Sequence, residues 1–133
     1  MTLTKITLKA RLSFFLALFY SISILILSLV NLSDIKMIKL ETSDKVYHAI
    51  SYALMIFFWL LYYKIKFKTV SSKQNLTLVL FIIGFGIIIE YLQLILTSYR
   101  SFDWWDVIAN TAGVLIGFAS FMAFLKLFNY EKI

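Results

Sequence analysis

The sequence predicts an all-α integral membrane protein, in which one domain covering residues 1–133 forms a bundle of four transmembrane helices. Hydrophobic residues make up 62% of the chain and charged residues only 15%, whereas soluble domains average about 45–50% and about 25%. The apolar residues form four long runs, each near the roughly 20 residues that a helix needs to cross a bilayer. The chain also lacks proline, which suits uninterrupted helices.

The four runs predict the four spans in chain order. The first follows a basic lead-in, but it is longer than a typical signal-peptide core and no small-residue cleavage site follows it, so we interpret it as a retained span. The second is interrupted only by His48, the third contains Glu90, and the fourth carries two glycines. Continuous rather than alternating apolar runs favour helices over a barrel. The predicted spans are residues 12–33, 46–63, 75–98 and 107–127.

Basic residues predict the orientation of the bundle. The N-terminal tail, the middle loop and the C-terminal stretch together carry nine of them, and the other side carries four. The nine are Lys5, Lys9, Arg11, Lys64, Lys66, Lys68, Lys73, Lys126 and Lys132, and the four are Lys36, Lys39, Lys45 and Arg100. The positive-inside rule therefore predicts cytoplasmic termini, with residues 34–45 and 100–106 facing outward. Six of the seven acidic residues belong to this outward half.

The richest polar stretch begins at Arg100 and runs into the fourth span. If a helix starts near Asp103, one face carries polar residues followed by glycines, and that face should be received inside the protein because lipid does not suit it. Its members are Asp103, Asp106, Asn110, Gly113 and Gly117. One of the two aspartates is expected to cap the helix, and Trp104 and Trp105 to anchor it at the membrane interface. The glycines predict close packing against a partner helix, within the chain rather than in a dimer, with Gly84 and Gly86 supplying part of the groove.

Two further polar faces are predicted at the outward ends of the second and third helices. Lys45, His48 and Tyr52 share one face, and Glu90, Gln93 and Thr97 share another. A charged Glu90 facing lipid would cost several kcal/mol, so we expect it to be protonated or to turn inward to Lys45, His48 or Arg100. A buried ion pair that fixes helix register is the structural alternative, and His48 and Tyr52 also have plain packing roles open to them.

Other classes of function are disfavoured by the sequence. The basic residues flank spans, so the net charge of +6 does not predict nucleic-acid binding. The absence of cysteine excludes thiolate chemistry. His48, Glu90, Asp103 and Asp106 are suitable ligand types for a divalent cation, but no dense motif groups them and nearby cations oppose it. We therefore expect no metal and no cofactor.

The polar residues resemble, in order and spacing, the VanZ-like family of bacterial membrane proteins, over roughly residues 12–128. The shared pattern comprises Asp44, Lys45, His48, Tyr52, Glu90, Gln93, Arg100, Asp103, Asp106, Asn110, Gly113 and Gly117. The resemblance implies a multi-pass protein of the bacterial inner membrane that is connected with the cell envelope. The founding member of the family gives resistance to teicoplanin, a lipid-bearing glycopeptide, so a link to glycopeptide resistance is one expectation.

These observations leave several functions open. The first is an outward polar pocket that binds an anionic headgroup of a membrane lipid or a lipid-linked envelope precursor. Its predicted ligand-binding residues are Lys45, His48, Tyr52, Glu90, Gln93, Arg100, Asp103, Asp106 and Asn110. The alternative is a membrane-embedded transferase or hydrolase, with His48, Glu90 and Asp106 as catalytic candidates. Transport is least favoured because the inner halves of the helices offer few polar side chains, and a structural partner that packs through Gly113 and Gly117 remains open.

Overall fold

The structure, a computed structural model, describes residues 3–30 and 44–128. These two segments contain four α-helices and no strand, so the predicted all-α class is confirmed. Each helix is long and apolar enough to cross a membrane, which makes the chain a multi-pass membrane protein. The helices are α1 (Leu3–Leu29), α2 (Asp44–Phe67), α3 (Ser72–Leu96) and α4 (Trp104–Leu127).

The helix ends differ from the predicted span ends by several residues. α1 begins nine residues before the predicted span, because the basic lead-in containing Lys9 and Arg11 is itself helical. α3 begins at Ser72 behind a capping box in which Ser71 and Gln74 satisfy each other's backbone N–H groups. It ends at Leu96, because Thr97 is extended. Residues 31–33 of the first predicted span, and the loop and tail carrying Lys36, Lys39, Glu131 and Lys132, lie outside the described residues.

The helices run alternately up and down, and one end of the bundle collects the polar side chains. At this end α1 and α3 finish while α2 and α4 begin. A hydrogen bond from Gln93 to the Ser28 carbonyl joins the first pair, and an ion pair between Lys45 and Asp106 joins the second. We call this the polar end. The opposite end carries the basic residues of the α2–α3 connection, so the charge asymmetry of the sequence is also an asymmetry of the fold.

A core of apolar side chains runs through the middle of the bundle, while most of the remaining apolar surface stays exposed. The core includes Tyr52, Met55, Ile56, Leu60, Ile82, Val114 and Phe121. Large side chains on every helix face outward, among them Phe19, Phe81 and Ile116. Such a surface suits hydrocarbon, since lipid tails are as apolar as the side chains they touch.

The closest helix contact joins α2 and α4 through glycines. A Cβ atom placed on Gly113 would overlap the backbone of Ala49, and one placed on Gly117 would overlap Ala53 and Ile56. The glycine face therefore packs against α2 of the same chain. The expected contribution of α3 to this groove was wrong, because Gly84 has nothing within 4 Å and Gly86 faces the ring of Tyr52.

Candidate functional site

Lys45 joins the starts of α2 and α4. Its ammonium group donates to the carboxylate of Asp103 at 2.5 Å and also to that of Asp106. Asp103 is the N-cap of α4 and accepts a second hydrogen bond from the Trp105 backbone N–H at 2.8 Å, as expected for one of the two aspartates. Because Lys45 donates to it, the pKa of Asp103 lies below its usual value. Asp106 is buried, and its ion pair with Lys45 places a positive charge against its carboxylate.

His48 lies one helical turn further along α2 and faces the same partners. Its Nδ1 is 2.9 Å from the side-chain oxygen of Asn110. Its Nε2 is 3.8 Å from Asp106 and 3.9 Å from Asp44. Asp44 was absent from the predicted ligand-binding residues, although its spacing of four from His48 on one helix was a usable signal.

Glu90 and Tyr52 form the deepest part of the polar end. Glu90 is fully buried, and neither of its carboxylate oxygens has a hydrogen-bond partner. The Tyr52 hydroxyl is also buried without a partner, and its ring lies against Gly86 one turn before Glu90. The carboxylate of Glu90 interacts electrostatically with Asp106, Arg100 and the Asp103 backbone N–H, although none of these gives it a hydrogen bond.

Gln93 is buried but serves the contact with α1. Its side-chain amide donates to the Ser28 carbonyl at 2.8 Å, and Tyr99 donates to the Leu29 carbonyl at 2.6 Å. These two bonds satisfy carbonyl groups at the end of α1 that the helix itself leaves unpaired. The geometry thus gives Gln93 a structural partner, and it adds Tyr99 to the residues that hold the polar end together.

Arg100 differs from the other cation of the polar end. Its side chain is exposed, and within residues 3–30 and 44–128 it interacts with Glu90 electrostatically but makes no hydrogen bond or ion pair. Lys45, in contrast, is already held by two carboxylates. A guanidinium group without a partner offers up to five donors in a planar fork that suits phosphate and carboxylate.

Asp106 is the residue on which the contacts meet. Lys45 and His48 approach its two carboxylate oxygens from α2, and Glu90 acts on it electrostatically from α3. Asn110, one turn later on α4, completes the group through His48. Three of the four helices therefore bring polar side chains to one small region that borders the exposed end of the bundle.

Comparison with known proteins gives one family. The family model described as VanZ/LLP1 matches residues 2–127. Neither the comparison with curated proteins nor that with solved structures finds a match.

Proposed function

The chain belongs to the VanZ-like family, and from that premise we propose that its polar end binds the anionic headgroup of an envelope lipid or lipid-linked precursor. The observation that carries the proposal is the exposed guanidinium of Arg100, which makes no hydrogen bond or ion pair within the described residues and interacts electrostatically with the buried carboxylate of Glu90. A charge-assisted hydrogen bond to phosphate would give Arg100 the partner that these segments do not supply.

The proposal includes an orientation. We place the polar end at the outer surface of the bacterial inner membrane and both termini in the cytoplasm. Support comes from the opposite end of the bundle, which carries Lys9, Arg11, Lys64, Lys66, Lys68, Lys73 and Lys126. Trp104 and Trp105 are each 69% exposed at the polar end, a placement that suits the headgroup layer or stacking on a sugar.

The pairing of Lys45 changes its role in the proposal. An anion that bound Lys45 directly would have to displace Asp103 or Asp106 from it. We therefore assign the anion contact to Arg100 and a positioning role to Lys45, which holds the start of α4 against α2. Arg100 lies three residues before Asp103, the N-cap of α4. The position of that N-cap therefore also limits where the side chain of Arg100 can lie.

A cleft along the bundle supports a ligand with an acyl chain. It has a volume of about 300 Å³ and lies between α1, α2 and α3, with almost entirely apolar walls. Leu25, Met55 and Phe85 are among its lining residues. Leu25 precedes Ser28, the acceptor of the Gln93 hydrogen bond, by less than one turn, so the cleft reaches toward the polar end.

The binding test uses the purified full chain in a non-ionic detergent and a water-soluble short-chain phosphatidylglycerol as the probe, with short-chain phosphatidylcholine for comparison. Arg100→Ala should weaken phosphatidylglycerol binding by roughly tenfold or more, since a hydrogen bond to a charged group contributes about 1.5–3 kcal/mol. Arg11→Ala makes the same chemical change at the opposite end and should leave the affinity unchanged. Equal affinities for wild type and Arg100→Ala would refute the assignment.

A cellular test addresses the link to glycopeptides. Wild type and Arg100→Ala are expressed at matched levels in a susceptible bacterium, and the minimum inhibitory concentration of teicoplanin is measured. We expect expression of wild type to raise that concentration and Arg100→Ala to abolish the effect. If wild type gives no change, the resistance role is rejected while headgroup binding is still judged by the probe.

One observation favours an enzyme as a second candidate. The imidazole of His48 is held at Nδ1 by Asn110, and its other nitrogen faces Asp106. An oriented imidazole beside a carboxylate is the arrangement of a general base. Incubation of wild type and His48→Gln with short-chain phosphatidylglycerol, followed by mass spectrometry, tests this activity. A product formed by wild type and not by the variant is expected of an enzyme, and the absence of any His48-dependent product would reject it for this probe.

A further inference from the structure

Three potential metal ligands meet where α2 and α4 begin. They are a carboxylate oxygen of Asp44, Nε2 of His48 and a carboxylate oxygen of Asp106, and one such atom from each lies within 4.8 Å of the other two. The two separations that involve His48 are 3.9 Å and 3.8 Å, too long for hydrogen bonds. All three residues come from the first two turns of two adjacent helices, which the glycine contact holds together.

The environment of His48 directs a lone pair into this gap. Nδ1 is 2.9 Å from the side-chain oxygen of Asn110, which can only accept, so Nδ1 is the donor in this hydrogen bond. In the neutral imidazole Nε2 then carries the lone pair, and it faces two carboxylates that are also acceptors. A histidine that ligates a metal usually donates its other N–H to an oxygen of the protein in this way.

Lys45 does not fill the gap. Its ammonium group is bonded to Oδ1 of Asp106, whereas the oxygen that faces His48 is Oδ2. The sequence led us to expect that a nearby cation would oppose a metal. In the structure, however, Lys45 lies on the other side of the Asp106 carboxylate from His48. Bridging of one carboxylate between an ammonium group and a metal leaves both contacts in place.

We propose that Asp44, His48 and Asp106 form a binding site for a divalent transition-metal ion of the zinc class. Bonds of about 2.0–2.2 Å to nitrogen and carboxylate oxygen are typical of zinc. Ligand atoms around such an ion are roughly 3.0–3.5 Å apart. The two separations that involve His48 therefore have to shorten by less than about 1 Å, and the carboxylates of Asp44 and Asp106, at most 4.8 Å apart, by no more than about 1.8 Å. Imidazole together with carboxylates suits zinc better than magnesium or calcium, which prefer oxygen ligands alone.

The charges of the polar end supply an independent reason for a cation. Glu90 is fully buried, has no hydrogen-bond partner and interacts electrostatically with Asp106. A buried carboxylate that has no hydrogen-bond partner and repels a second carboxylate is costly. Arg100 acts on Glu90 and Lys45 pairs with Asp106, and a divalent ion on Asp106 would add positive charge that acts on both carboxylates. Asp44 is 45% exposed at its side chain, so an ion could reach the site from solvent on this side.

This site does not depend on the proposed binding of an anionic headgroup. It is tested with Co²⁺, which occupies zinc sites and absorbs visible light when bound by nitrogen and oxygen ligands. The full chain is purified in detergent, its affinity tag is removed, and bound metal is stripped with a chelator. Co²⁺ is then titrated while the visible spectrum is recorded, and Zn²⁺ is added to displace it.

Three variants separate the ligands from their neighbours. Asp44→Asn and His48→Gln should each weaken Co²⁺ binding by at least tenfold, because even the loss of a residue that supports a ligand costs about 10–100-fold. Asp44 is well exposed, so its variant keeps the test sound if His48→Gln fails to fold. Asp103→Asn removes a carboxylate of the same end that is not a ligand, and it should bind Co²⁺ as wild type does.

The expected result is one Co²⁺ per chain, with the visible band lost on addition of Zn²⁺. The absence of a band at saturating Co²⁺ would overturn the proposal. Equal weakening by Asp44→Asn and Asp103→Asn would also overturn it, because binding would then reflect the general negative charge of this end.

Discussion

Adding one methyl group at Gly113 should destabilise the protein, whereas the same methyl group at Gly84 should not. A Cβ on Gly113 would lie 2.8 Å from both the Cα and the carbonyl carbon of Ala49 in α2. Favourable contacts between carbon atoms are about 3.5–4.0 Å, so α2 and α4 would have to separate by roughly 1 Å. The obstructing atoms are backbone, which cannot rotate away as a side chain can.

The two substitutions share every effect except this contact. Alanine is favoured over glycine within a helix by about 1 kcal/mol, and this gain applies equally to Gly113→Ala and Gly84→Ala. Overpacking of a close-packed interface costs about 1–3 kcal/mol, or more. The overlap with backbone places Gly113→Ala at the upper end of that range. We therefore expect the two variants to differ by about 3 kcal/mol in the free energy of unfolding, with Gly84→Ala the more stable.

Unfolding by sodium dodecyl sulfate measures this difference. The purified chains, in a mild detergent, are titrated while helicity is followed by circular dichroism. Gly86→Ala adds a third point on the scale, because its Cβ would meet the ring of Tyr52 at 3.0 Å rather than backbone, and it should fall between the other two. If Gly113→Ala were as stable as Gly84→Ala, the close packing of α2 on α4 would be refuted.

Three further predictions concern the charges of the polar end. Lys45→Met leaves the buried carboxylate of Asp106 without its ammonium partner. Removing one member of a buried ion pair costs about 3–5 kcal/mol of unfolding free energy. Because the Lys45 side chain is 40% exposed, we expect a loss at the low end of that range. Asp103→Asn should change that free energy by less than about 1 kcal/mol, because its carboxylate is 38% exposed. The pKa of Asp103 is lower in the folded protein than its value of about 3.9 in the unfolded chain. Asp103 therefore stabilises the fold above the unfolded pKa, and this contribution should be lost as the pH falls through the folded pKa. Lys45→Met should remove this part of the pH dependence, because Lys45 lowers the pKa. Glu90→Gln should fold and be at least as stable as wild type, because it removes a buried carboxylate that has no hydrogen-bond partner and that repels Asp106; marked destabilisation would mean that its attraction to Arg100 outweighs those costs.

The four helices could be predicted because hydropathy sums over about 20 residues and tolerates local error. The ends of the helices could not be predicted in this way. Hydropathy shows which residues suit lipid, whereas a helix continues for as long as its backbone hydrogen bonds do. Lys9 and Arg11 are therefore helical in α1 although they precede the apolar run. Conversely, Thr97 is uncharged and still ends α3, since its backbone is extended.

For the polar residues of the site, the sequence predicted which face of a helix carries each side chain, but not which neighbouring helix that side chain contacts. Helical spacing placed Lys45 and His48 on one side of α2, and both do turn toward α4. The same spacing could not show that Gln93 would turn to α1 instead. Periodicity within one helix gives the direction of a side chain relative to its own axis, whereas its partner depends on which helix packs there.

The glycine contact and the polar site are parts of one arrangement. Ala49 directly follows His48 on α2, and Gly113 comes three residues after Asn110 on α4, so the glycine contact lies within one turn of the bond between His48 and Asn110. The spacing of the two helix axes at the glycine therefore sets the length of that bond. A separation of roughly 1 Å would break a hydrogen bond of 2.9 Å, releasing the imidazole from the tautomer that directs Nε2 toward the two carboxylates. Gly113→Ala should accordingly weaken Co²⁺ binding as well as the fold, although Gly113 supplies no ligand atom. Gly84→Ala should leave both unchanged or improved.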